Sequence, residues 1–406
     1  MFQPVCEGTQ DTRPLGALRR PRPCERPSSM KFMFVSNDTR GGSSVSQRQL
    51  ARRLTERGHE VEILAASVQS RVIRPVYDQQ VDLSTKLRGS WLRPALLALQ
   101  RPAGRRIRRL ETPDHPTWVC AVPENGFRVL RRKFPPDVVV ASSIDRVSWR
   151  RIRAQLRAAG IPSVLYLREA SAKGHLTVTG APPDLLLANA ESLAEEAREA
   201  GYACEVVPSI VEFERSRTES TREVVLLVNP IEMLGGDRVW ALARARPDIP
   251  FVLRESNMMS AEELKAVTSR LAEHPNVSLR PYTTTPVDLY RDARVLLVPH
   301  RVDNRPRVIL EAQSNGIPVI ATSFPGLVEA VGSGGTLVAN DAEPAAWIDA
   351  LNQMWDDDAV YQRVSESARA HAARDDVTPD RVLDRFESLV SELVDNSNHR
   401  ADEVTT

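Results

Sequence analysis

Lysine is nearly missing from this chain. Five lysines (Lys31, Lys86, Lys133, Lys173, Lys265) stand against 49 arginines, so cationic chemistry falls mostly to the planar guanidinium rather than to a flexible point charge. Net charge is as sparse: 54 basic and 53 acidic side chains leave +1. That balance argues against a general nucleic-acid or anionic-membrane binder and leaves room for a local patch. Cysteine is scarce too. Cys6, Cys24, Cys120 and Cys204 are widely spaced and form no C-x-x-C, so no metal knuckle or disulfide framework is visible. No apolar run approaches the ~18–20 residues of a membrane span. Residues 1–29 carry Pro4, Pro14, Pro21, Pro23 and Pro27 among several arginines and lack the ~7–15-residue apolar region of a secretory signal. They read as a disordered tail or an over-called translation start, because Met30 opens the first strong pattern, and the expected location is the cytoplasm.

What is present is enough apolar material, 42% of 406 residues, for more than one core, since single cores stop growing beyond ~250–300 residues. Lys31–Ser36 reads as a strand, Val45–Arg57 as a helix with Leu50 and Leu54 on one face, and Glu60–Leu64 as the next strand. Such a βαβ unit implies a parallel sheet with right-handed crossovers. Asp137–Ala141, Ser163–Leu167, Asp184–Ala188 and the short Val206–Pro208 continue it. Residues 209–222 are polar and aperiodic, which suits a linker. A second series follows at Glu223–Val228, Pro250–Arg254, Val277–Leu279, Arg294–Val298, Ile317–Ala321 and Gly335–Val338, with helical stretches at 237–245, 260–273, 286–293, 307–315 and 343–356. The expected fold class is α/β: two doubly wound parallel-sheet domains, 30–208 and 223–378, facing across a cleft where ligands bind at the strands' carboxyl ends. Residues 68–133 stand apart, with an amphipathic helix expected around Leu96–Leu110 and a basic set of Arg101, Arg105, Arg106, Arg108, Arg109, Arg131, Arg132 and Lys133. That set is either a solvated helix face or a patch facing an anionic acceptor or a membrane surface.

Two segments carry chemistry. Asn37-Asp38-Thr39-Arg40-Gly41-Gly42-Ser43-Ser44 joins the first strand to its helix. Glycines let a ligand approach the backbone, and free N–H groups at a helix start favour an anion; a tight turn with a serine cap explains the segment equally well. It is neither a P-loop nor a G-x-G-x-x-G. The second runs from Pro299 to Glu329. Asp303 lies in a polar loop after a strand and Glu311 lies eight residues on, in the next helix. Two carboxylates at a strand end can accept hydrogen bonds from vicinal diols; alternatively, Glu311 simply pairs with Arg307 at i, i+4.

The order Asp303, Glu311, Gly316-Ile317-Pro318-Val319-Ile320-Ala321 and Pro325-Gly326-Leu327-Val328-Glu329 resembles the retaining glycosyltransferases of the GT-B fold, in particular the large fourth sequence family, whose signature is E-x7-E followed by G-x-P-V-I-A and G-G-x-x-E. The opening VSNDTRGG…LARRLTERGHEVEIL, Ala188-Asn189-Ala190-Glu191 and Val207-Pro208-Ser209-Ile210-Val211 are similar to other segments of that family. The likeness covers roughly 30–395. It implies two Rossmann-like domains, with a C-terminal helix at 379–395 returning to the first. Glu311 would hold the ribose of a nucleotide diphosphate sugar and Asp303 the transferred sugar. Asn304, Arg305, Pro306 and Arg307 would contribute donor contacts, and Gly41 and Gly42 would lie against the diphosphate. His300, Asn229 and Gly235 join the donor side. Arg168 and Glu169 stand where the family often carries His followed by an acid, and with His175 they are the acceptor-side candidates. The partners implied are a nucleotide-sugar donor and a small-molecule, lipid or glycan acceptor, with no metal, no cofactor and no nucleic acid, and with peripheral membrane contact open through the basic 101–133 region.

The departures are specific. Asp303 is one methylene shorter than the family's glutamate. Where the family has an arginine and then Lys-Gly gripping the diphosphate, this chain reads Asn229-Pro230 and Leu234-Gly235. A missing charge donor at such a position commonly costs ~10²–10³ in rate. Arg254 is the first candidate to replace it, with Arg301, Arg305 and Arg307 next. Otherwise the protein is a GT-B-shaped accessory or carbohydrate-binding partner without transfer activity. A further alternative joins an activated donor to a non-sugar acceptor.

Overall fold

Two sheets organise the chain, and each is built from runs of apolar residues buried on both faces, as parallel strands between helices require. The computed structural model describes residues 29–37, 39–66, 106–168, 182–256 and 259–405. The first sheet contains β1 (Lys31–Ser36), β2 (Glu60–Ala66), β3 (Arg108–Leu110), β4 (Thr117–Cys120), β5 (Val138–Ser142), β6 (Ser163–Leu167), β7 (Leu185–Ala188) and β8 (Glu205–Val206). Its order is β3-β4-β2-β1-β5-β6-β7-β8, parallel throughout except for the β3–β4 pair. The second contains β9 (Val224–Val228), β10 (Phe251–Arg254), β11 (Val277–Arg280), β12 (Ala293–Val298), β13 (Val319–Thr322) and β14 (Gly335–Val338). These are arranged β11-β10-β9-β12-β13-β14 and all parallel.

Strand alternation divides the first sheet's core. Met33 and Val35 of β1 pack with Val139 and Ala141 on one face, while Phe32 and Phe34 pack with Val138, Val140 and Tyr166 on the other. The helix Pro379–Thr405 covers that second face with Val382, Leu383, Phe386, Val390 and Val394. Phe386 stacks on Phe34 with ring centroids 6.3 Å apart. Buried beside it, His59 accepts from the Met30 amide at Nδ1 (3.1 Å) and faces Glu387 Oε1 at 2.8 Å through Nε2, so the helix is tied down by a polar contact as well as by apolar area.

The structure departs from the sequence reading in three places. Arg108–Leu110 is not helical; it pairs antiparallel with β4, Arg109 opposite Trp118, and residues 67–105 lie outside the described ones. β4 and the helices Pro123–Lys133, Arg146–Arg157, Glu191–Glu199 and Asp358–Ala372 carry no run long enough to stand out by apolar content alone. The polar segment after Pro208 is not a free tether. Val211 and Phe213 pack against Leu310, Ala372 and Val377, and the buried Glu212 accepts from Arg52 and from Arg53 Nε, the latter at 3.0 Å. An aperiodic pattern signals the absence of an amphipathic face, and here the anchoring comes from single residues.

Candidate functional site

In both sheets the strand order reverses at one place, between β1 and β5 and between β9 and β12, and the crevice outside the carboxyl ends there is where such folds bind ligands. Backbone strain marks both points. Ser143 after β5 has φ +45° and Asn229 after β9 has φ +64°, conformations that non-glycine residues hold only when their surroundings impose them. At the first point Asn37 N–H donates to Ser143 O (3.1 Å), Asn37 Nδ2 reaches Asp145 (2.5 Å), and the Ser43 and Ser143 hydroxyls meet at 2.7 Å. Gly41, φ +81°, and Gly42 are the first residues of the helix Gly41–Glu56, so they open that helix rather than precede it. A methyl on Gly42 would meet nothing within 4 Å.

The second point is crowded. Asn229 N–H donates to Arg254 O (2.9 Å) and its Oδ1 accepts from Ser256 Oγ (2.8 Å). Gly235 has φ +69°, and a Cβ there would lie 1.8 Å from Pro299 O. Arg254 is buried and spends both terminal nitrogens on backbone carbonyls, Pro281 O at 3.0 Å and Asp288 O at 2.9 Å. It therefore shapes the loop after β11. Arg301 reaches the segment containing Leu234: it pairs with Asp237 at 2.7 Å and donates to Glu232 O at 3.4 Å.

The two acids occupy different surroundings. Glu311, buried in the helix Arg307–Ser314, accepts from Tyr290 Oη at 2.7 Å and from Arg307 Nη2 at 3.1 Å. Burial, then the Glu311 charge, pushes the Tyr290 phenol well above its ordinary range, so it stays a donor. Asp303 Oδ1 accepts from the Gly326 amide (2.9 Å) at the start of the helix Pro325–Val331. Burial raises its pKa, with the Glu196 charge adding to the effect against several backbone hydrogen bonds. Next to this loop His300 Nδ1 meets Asn304 Oδ1 at 2.9 Å, and burial lowers the imidazole's pKa, so it is neutral near pH 7. Pro306 is the N-cap of the Glu311 helix.

The same loop joins the two sheets. Arg305 Nη1 donates to Asn189 O (2.8 Å) and pairs with Glu329 (3.2 Å), whose other oxygen accepts from the Glu191 amide (2.8 Å). Arg307 Nη1 reaches Ser46 Oγ at 3.4 Å. Arg168 is no surface residue: it is buried, stacked 4.0 Å over the Tyr166 ring, and donates to Ser209 Oγ at 3.0 Å. Ser209, Arg305, Pro306 and Arg307 line one narrow crevice. Glu169 and His175 lie outside the described residues. Sequence reasoning missed Tyr290, Arg48, Ser46 and the joining role of Glu329. The capping contact of Asp303 was equally hidden, because each depends on a partner far away in the chain.

Comparison with known proteins bears on the family and the fold. The family model described as "Glycosyl transferase 4-like domain" matches residues 41–207, and the one described as "Glycosyl transferases group 1" matches residues 238–357; together they span more than half of the chain. A D-inositol 3-phosphate glycosyltransferase of Corynebacterium urealyticum is 40% identical over 89 residues, 22% of this chain and 21% of that protein. The chain thus matches only about a fifth of that relative's length. Among solved structures, a sucrose-phosphate synthase from Thermosynechococcus elongatus is similar with TM-score 0.68 and 14% identity, covering 90% of this chain and 99% of that one. Anabaena HepE in complex with UDP-glucose follows at TM-score 0.67 and 15% identity, covering 89% and 100%. These likenesses establish the fold, two parallel-sheet α/β domains in the GT-B arrangement.

Proposed function

We propose that this chain, which belongs to the group 1 glycosyltransferases, moves a sugar from a nucleotide diphosphate donor to an acceptor held by its N-terminal half, with retention of configuration and without a metal ion. One observation carries the reading. The Glu311 carboxylate is held by Tyr290 and Arg307 at the carboxyl edge of the second sheet, and Arg307 spans from it to Ser46 in the helix opened by Gly41 and Gly42. A fixed carboxylate there suits a ribose diol, and the helix start at Gly41 and Gly42 suits a diphosphate. In a front-face reaction the departing phosphate takes the acceptor's proton, while guanidinium and backbone N–H groups stabilise its charge. No separate side-chain base is needed. Relatives named D-inositol 3-phosphate glycosyltransferase make phosphorylated polyols the first acceptors to screen.

Calorimetry with UDP-, GDP- and TDP-sugars, followed by mass spectrometry of products, tests the proposal. Heat with one donor and loss of that heat in Glu311→Ala are expected. A Glu311→Ala variant that turns over donor normally removes the site assignment, and no heat with any donor would favour an accessory protein without transfer activity. The likeness to HepE, solved with UDP-glucose, makes the uridine donors the first to try.

A further inference from the structure

Arg48, Arg168 and Arg307 bring buried positive charge to the meeting of the two sheets. Arg48 sits in the second turn of the helix Gly41–Glu56 and is buried, with Nη1 on Thr39 O at 3.0 Å. Arg307 reaches Ser46 on that helix, and Arg168 reaches Ser209 on the crevice that Arg307 also lines. The Nε atoms of all three are buried, and among the described residues none has a hydrogen-bond partner. Burial lowers the pKa of both Arg48 and Arg168, and the Arg307 charge lowers it further in each. Against three guanidinium groups the described residues set one contacting carboxylate, Glu311, which is bonded to Arg307. Asp114 acts on Arg48 only as a neighbouring charge, and its carboxylate is paired with Arg215. Buried positive charge without a counter-charge is costly, and a planar guanidinium stacked on Tyr166 is preset for a tetrahedral oxyanion.

We propose that Arg48, Arg168 and Arg307 form an anion subsite between the two domains that takes the phosphate group of a phosphorylated acceptor. The inference rests on the transferase reading above, because it assigns the acceptor class to that site. Arg168 follows β6, where the acceptor-side candidates fall, and this favours the acceptor over the donor diphosphate as the source of the phosphate.

The test titrates inorganic phosphate into the full chain by calorimetry and follows its melting temperature, with and without saturating UDP, GDP or TDP. Phosphate is expected to bind once per chain in the presence of the nucleotide. R48M and R168M should each weaken it about tenfold or more, with the melting temperature in phosphate-free buffer unchanged or higher because an uncompensated charge has gone. Variants that melt lower and bind phosphate as wild type does would make the arginines structural and overturn the proposal. Phosphate displaced by the nucleotide would assign the cluster to the donor and overturn the acceptor assignment. Donor heat without any phosphate binding sinks this inference alone. Phosphate binding without donor heat supports the subsite and sinks the transferase reading.

Discussion

Two Gly-Gly pairs, Gly41-Gly42 and Gly235-Gly236, follow the first strands of the two sheets and stand in opposite surroundings. In the N-terminal half, Gly42 has open space where a side chain would go, so no neighbour among the described residues requires it to be small. In the C-terminal half, a Cβ on Gly235 would lie 1.8 Å from Pro299 O and one on Gly236 would lie 2.4 Å from Pro230 C. Smallness there serves the protein's own backbone, which packs the β9 loop against the end of β12. Equivalent topology therefore says where a glycine loop falls, and only the neighbouring elements say whether it is a ligand's seat or a packing contact.

Gly235→Ala should break the comparison hardest. It combines a positive φ, which costs a residue with a Cβ roughly 1–2 kcal/mol, with a backbone collision, so a loss above ~4 kcal/mol in chemical denaturation is expected. A midpoint equal to wild type would disprove the packing role. Glu311→Ala should leave folding cooperative and abolish donor binding, at some stability cost, because the Tyr290 hydroxyl loses its acceptor and an unsatisfied buried donor costs ~1–3 kcal/mol. Gly42→Ala sharpens the contrast: stability is expected to stay level or rise by up to ~1 kcal/mol, while donor affinity falls. A Gly42→Ala protein with unchanged affinity would remove this loop from the ligand site. Tyr290→Phe should be milder, costing about 1 kcal/mol and weakening donor binding without abolishing it.

The smallest expected effect is on pH dependence. Burial depresses the pKa of His300, and that of His371 to about 4 with help from the Arg374 charge, both in the second half, and of His115 in the first. A histidine whose folded pKa is below its unfolded value of ~6.5 adds stability that is complete above that value and is lost as pH falls from there through the folded pKa, because the unfolded chain takes up the proton first. Hydrogen exchange between pH 7 and pH 5 should therefore show the second half loosening more than the first. Equal loosening would count against these two imidazoles as the cause.

Legibility followed the range of the interaction. The strands that read correctly, such as β5 and β12, are dense in valine and leucine and bury nearly every residue. The misread Arg108–Leu110 is a three-residue edge strand held by pairing with β4, and its basic pattern carries no local strand signal. Glu311 was visible from its spacing, and the i, i+4 contact with Arg307 exists beside the site role proposed for it. Tyr290 was invisible, since nothing in VDLY announces that its hydroxyl meets a carboxylate 21 residues later. Arg254 looked like a replacement cation because it ends a strand, and its two contacts with backbone carbonyls could be seen only once the loop after β11 was placed.

By itself the sequence determined that there are two doubly wound halves, since β-branched runs alternating with amphipathic stretches admit few other arrangements. It also determined that lysine is nearly missing and that Leu stands at position 234, so that cationic roles fall mostly to arginine. Which arginine sits where was left to tertiary structure. Arg305 meets Asn189 across 116 residues, and Arg307 meets Ser46 across 261. Contacts of that reach leave no periodicity in the chain, because they depend on the packing of one sheet's edge against the other rather than on the order of neighbouring residues.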